Sequence, residues 1–270
     1  MKYRKIGHDD VEVSEVGLGT WQLGSDWGEI GEDEAREILA TAVDQGINFF
    51  DTADVYGPEI SEERLGNFFK GSAQRPLIAT KLGRFPDPGW PGNFTLEAMR
   101  AHTEASLRRL GVDALDLTQL HCIPRREMAR GEVFHHLRKL QEEGKILRFG
   151  ASVETMDEAL LCLEEEGLYS LQIIFNIFRQ KPRDVLFPAA AEKGVTLIVR
   201  LPLASGLLAG TIRASMDFPE TDHRNYNRDG EAFNVGETFA GLPQETGVEL
   251  SEQVQSLVPQ GISMAQFALR

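Results

Sequence analysis

The chain has 270 residues, a formal net charge of −14 and a hydrophobic content of 41%. This composition is typical of a globular protein, and the acidic balance argues against nucleic acid or an anionic membrane surface as a partner. No apolar run approaches the roughly 20 residues of a transmembrane helix, and the N-terminus lacks the apolar segment of a secretory signal. We therefore expect a soluble protein.

Two cysteines, Cys122 and Cys162, occur in the chain. The first follows a predicted strand and the second lies in a predicted helix, so we expect reduced thiols in a cytoplasmic protein. A metal site needs several clustered ligands, and apart from His121 next to Cys122 neither cysteine has a Cys or His at ligand spacing. We therefore expect no metal site. The composition leaves open whether the chain forms a homo-oligomer.

Short apolar runs alternate with longer amphipathic ones along the chain. The predicted strands are residues 16–19, 47–50, 76–80, 115–120, 146–149, 171–175 and 195–199. The predicted helices are residues 33–45, 61–70, 95–110, 132–143, 155–166 and 183–193. Strict alternation predicts an α/β fold with a parallel sheet, and this many apolar strands favour a barrel over an open sheet. No linker divides the chain, so residues 1–270 are expected to form a single domain.

Two segments lack a clear helical or strand pattern. Residues 83–94 are rich in Pro, Gly and aromatic side chains, which suits either an ordered pocket wall or a simple solvent loop. Residues 210–261 are rich in Gly, Asp, Asn and Arg, with weak periodicity. Long irregular segments in a barrel usually frame its site. Together with Trp21 and Trp27, these two segments are the predicted walls of a substrate pocket.

Polar residues with one shared chemistry lie at the ends of successive predicted strands. Asp51, Lys81 and His121 end the second, third and fourth strands, and Tyr56 lies five residues beyond Asp51. Taken singly, each has a structural explanation: an Asp can form a turn, a Tyr can pack at the surface and a Lys can be solvated. Together they suit proton donation to a carbonyl oxygen, because a Lys ammonium lowers a Tyr pKa and an Asp keeps that Lys charged. His121 would position the carbonyl, and a cofactor would have to supply the hydride.

These residues lie in segments that resemble the aldo-keto reductase family. The stretch GINFFDTADVYG, residues 46–57, with Ser61-Glu62 after it, is similar to the family signature. The segments IATK, ending at Lys81, and LDLTQLH, ending at His121, are similar to those carrying the family's Lys and His. The resemblance implies a (β/α)8 TIM-type barrel with an N-terminal hairpin at residues 3–13. It also implies NADPH-dependent reduction of an aldehyde or ketone, with NADH not excluded.

The resemblance further implies a set of cofactor contacts. By position these are Gly19, Thr20, Trp21, Asp51, Ser152, Gln172, Arg200, Leu203, Ser205 and Gly206. Arg200 stands where many family members place an aromatic ring against the nicotinamide, and a planar guanidinium could serve in the same way. Val153 stands where the resemblance implies an asparagine, which removes one carboxamide contact.

The last residues, 264–270, resemble the start of the helix that precedes the eighth strand of such a barrel. On this interpretation the chain is truncated before the eighth strand. The missing part would include the basic loop that holds the 2′-phosphate of NADPH.

Two other functions fit parts of the pattern. One is a non-catalytic regulatory subunit of the same fold that senses its cofactor. The other is a different barrel enzyme in which Lys81 forms a Schiff base with its substrate.

Overall fold

The computed structural model describes residues 1–24, 30–57, 59–72 and 75–270. Its strands are β1 (Tyr3–Lys5), β2 (Glu12–Ser14), β3 (Leu18–Gly19), β4 (Phe49–Asp51), β5 (Leu77–Leu82), β6 (Leu117–His121), β7 (Phe149–Ser152), β8 (Leu168–Ile174) and β9 (Thr196–Arg200). Its helices are α1 (Glu32–Asp44), α2 (Ile60–Phe69), α3 (Leu96–Leu110), α4 (Arg125–Arg130), α5 (Glu132–Glu142), α6 (Met156–Cys162), α7 (Pro182–Glu192), α8 (His223–Tyr226), α9 (Gln244–Leu257) and α10 (Met264–Ala268). The predicted Trp27 lies outside the described residues.

The N-terminal hairpin is present as predicted. Strands β1 and β2 pair antiparallel, with Tyr3 opposite Ser14. The phenol of Tyr169, in β8, donates a hydrogen bond of 2.8 Å to the carbonyl of Ile6 in the hairpin turn. A Cβ added to Gly7, whose φ is +63°, would collide with the Tyr169 ring. The glycine therefore permits the contact that fixes the hairpin.

Among the described residues, the other strands form a seven-stranded sheet in the order β3 to β9. The pairings from β3 through β7 are parallel. All six residues of β5 are buried, as expected for a strand covered on both sides. The predicted alternation of strands and helices, and with it the α/β class, is confirmed.

Local sequence signals set the ends of α3. The Thr95 hydroxyl accepts a hydrogen bond of 3.2 Å from the Ala98 amide at the start of the helix. Gly111, with φ of +67°, ends it in the left-handed conformation that glycine adopts readily. Both ends were predicted from these residues.

The predicted strand at residues 146–149 is wrong in position. Ile146 makes only an isolated bridge with Leu115, and β7 instead runs from Phe149 to Ser152. The prediction followed the apolar run and overlooked small residues with low strand propensity. Gly150 is required here, because a Cβ would lie 2.3 Å from the Ser170 hydroxyl on the next strand.

The segment 210–261 is more ordered than its composition indicated. It contains α9, whose buried residues follow a helical spacing: Gln244, Gly247, Val248, Ser251 and Val254. The pattern escaped detection because three of the five inward positions are Gln, Gly and Ser rather than large apolar residues. Helix α10 lies where the sequence predicted the start of a helix.

The described residues group into two compact units. The first comprises residues 1–171 and 189–197, and the second comprises residues 172–188 and 198–270. In the second unit, Leu207, Leu208, Phe218, Phe239 and Met264 form a buried apolar cluster. The single-domain organisation stays a prediction.

No helix in the described ranges has the length and apolar character needed to cross a membrane.

The two cysteines, which no disulfide joins, should differ in reactivity. Cys162 is fully buried, and this burial raises the pKa of its thiol to about 12. Cys122 is half-buried. Because the thiolate is the nucleophile, iodoacetamide at pH 8 should alkylate Cys122 in the folded protein and Cys162 only after denaturation. Peptide mass spectrometry would check this, and alkylation of Cys162 in the folded protein would contradict it.

Candidate active site

The parallel strands bring the predicted catalytic residues to one edge of the sheet. Asp51 is the last residue of β4, and His121 is the last of β6. Lys81 lies within β5, one residue beyond the predicted strand end, and its register partner on β6 is Gln119. Tyr56 lies in the turn that follows β4.

Lys81 is the centre of this group. Its ammonium donates hydrogen bonds of 2.7 Å to a carboxylate oxygen of Asp51, 3.0 Å to the Tyr56 phenol oxygen and 2.9 Å to the Thr52 carbonyl. These contacts use all three donors of an ammonium group. The side chain is only 1% exposed, so water contributes little to its solvation. The structure therefore brings Asp51, Lys81 and Tyr56 together as the sequence predicted.

The surroundings of Lys81 keep it charged. Burial acts to lower its pKa, but the attractions of Asp51 and Tyr56 outweigh this effect and raise the pKa above its ordinary value. A Schiff-base lysine must be neutral to attack a carbonyl. The raised pKa of Lys81 is therefore unfavourable for the Schiff-base alternative.

Two aromatic rings flank Tyr56. The Trp21 ring stacks on it at a centroid distance of 5.9 Å, with 22° between the planes. The His121 ring meets it edge to face at 5.7 Å. These contacts fix the orientation of the phenol and place His121 beside it.

Further polar residues fix Asp51. The Gln119 amide reaches its second carboxylate oxygen at 3.5 Å. The amide and hydroxyl of Thr20 both donate to the Asp51 carbonyl, at 2.9 and 3.0 Å, and the Ser61 hydroxyl donates to the Thr20 carbonyl. Thr20, a predicted cofactor contact, is fully buried and binds this network with its side chain. Sequence reasoning missed Gln119, although it lies two residues before His121.

The turn that carries Tyr56 is packed against the residues after β3. Gly57 has φ of +61°, and a Cβ there would lie 1.8 Å from the carbonyl oxygen of Gly24. Only glycine permits this backbone contact.

A second group of buried charged residues contacts β5 at Thr80, next to Lys81. Glu62, at the start of α2, is fully buried; it accepts a short hydrogen bond from the Thr80 hydroxyl and pairs with the Arg109 guanidinium at 2.6 Å. Arg109, on α3, also reaches Glu59 at 2.9 Å. The sequence offered Glu62 only as part of a motif and gave no sign of Arg109.

Asp54 belongs to the same interior. Its side chain is fully buried, and within the described ranges no side chain donates a hydrogen bond to either carboxyl oxygen. Burial, reinforced by the negative charge of Glu62, raises its pKa well above the ordinary value, and Arg109 and Lys81 only partly oppose this. Asp54 is therefore protonated in the folded protein to a higher pH than in the unfolded chain.

This shift predicts a pH-dependent gain in stability from Asp54→Asn. As pH rises from about 4, the wild type should lose stability relative to the variant by up to about 1.4 kcal/mol per pH unit, until the folded-state pKa is reached. Urea unfolding of both proteins between pH 4 and pH 9 would measure the difference. The exposed Asp113→Asn controls for the loss of one carboxylate. A difference that does not grow with pH would contradict the assignment.

Two predicted cofactor residues of the first unit lie at strand ends. Ser152 ends β7 beside His121, is buried, and has the Cys122 sulfur 3.5 Å from its hydroxyl. Gly19 ends β3, and a Cβ added to it would meet nothing within 4 Å. There is thus open space over the backbone at Gly19.

The remaining predicted cofactor residues lie in the second unit. Gln172 is buried in β8, and Arg200 ends β9 in an ion pair with Glu237. Leu203 precedes a tight turn in which Ser205 and Gly206 have φ of +55° and +102°. Successive amides in such a turn can form a concave anion-binding surface. The Ser205 hydroxyl itself binds the Glu237 carbonyl and the Phe239 amide.

Comparisons with known proteins identify the family of the chain. The sequence profile of the Aldo/keto reductase family matches residues 15–270. Aldo-keto reductase YhdN of Bacillus subtilis is 32% identical over 84% of this chain and 70% of its own length. Aldo-keto reductase yakc [NADP(+)] of Schizosaccharomyces pombe is 28% identical over 97% of this chain and 78% of its own length. The holo structure of aldo-keto reductase AKR11C1 from Bacillus halodurans superposes with a TM-score of 0.77 at 28% identity, covering 100% of this chain and 81% of that one.

The chain belongs to the aldo/keto reductase family, and it is a nicotinamide-dependent oxidoreductase acting on small carbonyl compounds. The matches also confirm the fold class predicted from the sequence, a (β/α)-barrel of this family with an N-terminal hairpin.

Proposed function

We propose that the protein reduces an aldehyde or ketone to an alcohol with NADPH, using Tyr56 as the general acid. The observation that supports this most directly is the set of hydrogen bonds joining Lys81 to Asp51 and Tyr56. The choice of NADPH rests on the family resemblance and on the relative from Schizosaccharomyces pombe, whose name includes NADP(+). The cytoplasmic location stays a prediction from the two cysteines.

The chain's own donors suit a nicotinamide cofactor. The family resemblance assigns Ser152 and Gln172 to the ring carboxamide, for which they carry a hydroxyl and an amide, and the ring itself would lie over the open space at Gly19. Trp21 stacks on Tyr56, and Asp51 accepts a hydrogen bond from Lys81, so both lie beside the proposed proton donor. Thr20 would act indirectly, through its hydrogen bonds to the Asp51 carbonyl. In the second unit, Leu203, Ser205 and Gly206 would hold the pyrophosphate through backbone amides, and Arg200 would face the nicotinamide.

When bound, the cofactor supplies the hydride that the carbonyl carbon receives. Tyr56 donates its phenolic proton to the carbonyl oxygen as negative charge develops there. The Lys81 ammonium, 3.0 Å from the phenol oxygen, stabilises the resulting phenolate, and Asp51 holds that ammonium in place. His121, edge-on to the Tyr56 ring, orients the carbonyl oxygen by a hydrogen bond.

We propose that the segment 83–94 forms one wall of the substrate pocket. The Gly83 carbonyl accepts hydrogen bonds from the indole of Trp90 at 2.5 Å and from Asn93 at 3.3 Å, and Asn93 also donates to the Phe85 carbonyl at 2.6 Å. This internal bonding favours an ordered wall over a simple solvent loop. Its aromatic rings favour apolar or aromatic aldehydes over strongly charged ones.

The direct test is NADPH oxidation, followed at 340 nm with a panel of aliphatic, aromatic and charged aldehydes. The proposal predicts turnover with at least one apolar aldehyde and none without a carbonyl compound. Fluorescence titration with NADPH and NADH would give the cofactor preference. Tighter binding of NADH than of NADPH would contradict the assignment of NADPH.

A further inference from the structure

Glu237 contacts two of the proposed cofactor residues. Its carboxylate pairs with the Arg200 guanidinium, and the two side chains are only 8% and 16% exposed. Its backbone carbonyl accepts a hydrogen bond of 2.9 Å from the Ser205 hydroxyl. Both contacts lie within the second unit.

The segment that contains Glu237 is itself held in place. The Ser205 hydroxyl also accepts a hydrogen bond of 3.3 Å from the Phe239 amide. Between them, the buried hydroxyl of Thr238 receives a hydrogen bond of 3.2 Å from the Asn227 amide. Residues 237–239 therefore form a fixed support for the turn at Ser205 and for the Arg200 side chain.

We propose that Glu237 is a positioning residue that sets the relative affinity for oxidised and reduced nicotinamide by neutralising Arg200. The inference rests on the proposed function, in which Arg200 faces the nicotinamide ring. Glu237 is not among the site residues predicted from the sequence.

The physical basis is the difference in charge between the two cofactor forms. An oxidised nicotinamide ring is positively charged, whereas the reduced ring is neutral. A guanidinium facing the ring remains charged at any pH at which the protein folds, so alone it would repel the oxidised form selectively. The low exposure of the Arg200–Glu237 pair limits screening by solvent, which makes the neutralising charge effective.

The test compares the dissociation constants of NADP⁺ and NADPH, measured by isothermal titration calorimetry on the full chain. Glu237→Gln should raise the ratio Kd(NADP⁺)/Kd(NADPH) about tenfold, equivalent to about 1.4 kcal/mol. Glu237→Asp should keep the ratio near the wild-type value. Arg200→Met should lower it, because Glu237 would then attract the oxidised ring. The exposed Glu37→Gln, on α1, controls for the loss of one negative charge.

The double variant Arg200→Met/Glu237→Gln should remove the increase seen in the single Glu237→Gln variant. An equal weakening of both cofactor forms in Glu237→Gln would show a purely structural role and overturn the inference. Should that variant fail to fold, Arg200→Met still decides, since an unchanged or raised ratio overturns the proposal. Failure of the wild type to bind either form would count against the proposed function itself, a result distinct from a normal affinity with an unshifted ratio.

Discussion

Replacing Tyr56 with phenylalanine is expected to lower kcat for aldehyde reduction by about 10²–10⁴-fold, the usual contribution of a general acid. The substitution removes the only proton that the phenol can donate while retaining the ring. Trp21 and His121 pack against that ring, so the fold around it should persist. The Kd for NADPH should change little, because the phenol oxygen acts on the substrate carbonyl. Steady-state kinetics and a fluorescence titration on the same preparation would measure both quantities.

Tyr3→Phe is the matched control, because Tyr3 is exposed on β1 of the N-terminal hairpin. Its kcat should equal that of the wild type. A Tyr56→Phe variant that retained wild-type turnover would show that another group protonates the carbonyl oxygen. A variant that lost NADPH binding as well would assign the phenol to cofactor binding instead.

Replacing Arg109 with methionine is expected to destabilise the protein by about 3–5 kcal/mol, the cost of leaving a buried charge without its partner. Glu62 is fully buried and pairs with Arg109 at 2.6 Å. Asp54 lies in the same interior, and Arg109 is one of the charges that oppose the rise in its pKa. Without the guanidinium, both carboxyl groups lose a favourable interaction. Urea unfolding at pH 7 would measure the change in free energy.

Two variants separate this effect from the loss of an arginine in general. Arg183→Met breaks an exposed ion pair with Asp184 and should cost well under about 1 kcal/mol. The double variant Arg109→Met/Glu62→Met removes both buried charges and should recover part of the stability lost in the single variant. Equal stabilities of Arg109→Met and the wild type would refute the role assigned to this pair.

The sequence predicted which residues of the candidate site come together, because parallel strands impose a simple geometry. Their carboxyl ends meet at one edge, so residues at or just beyond successive strand ends become neighbours without any knowledge of side-chain packing. Asp51, Tyr56 and Lys81 come together in this way, with His121 beside the phenol. An error of one or two residues in a strand boundary does not change which residues reach that edge.

The support of the site depends on contacts that no local pattern encodes. Glu62 and Arg109 lie on different helices and meet through the packing of α2 against α3. Arg200 and Glu237 meet because an irregular segment folds back on the turn at Ser205. Such pairings depend on tertiary packing, which a single sequence reveals only through motifs already known.

The assignments of Thr20 and Ser205 illustrate the same limit. Position in the chain indicated that both residues contact the cofactor, but it could not show where their hydroxyl groups point. The Thr20 hydroxyl donates to the Asp51 carbonyl, and the Ser205 hydroxyl donates to that of Glu237. Any contact of Ser205 with the cofactor is therefore expected through its backbone amide.

The most direct measurement of the proposed reaction is the fate of deuterium from NADPH in which both hydrogens at C4 are replaced by deuterium. Purified protein, labelled cofactor and an aldehyde that supports turnover would be mixed, and the alcohol would be analysed by mass spectrometry and NMR. Direct transfer of hydride predicts one deuterium on the former carbonyl carbon in wild-type product. Alcohol that forms without the label, or label that is lost to water, would contradict hydride transfer from NADPH at this site.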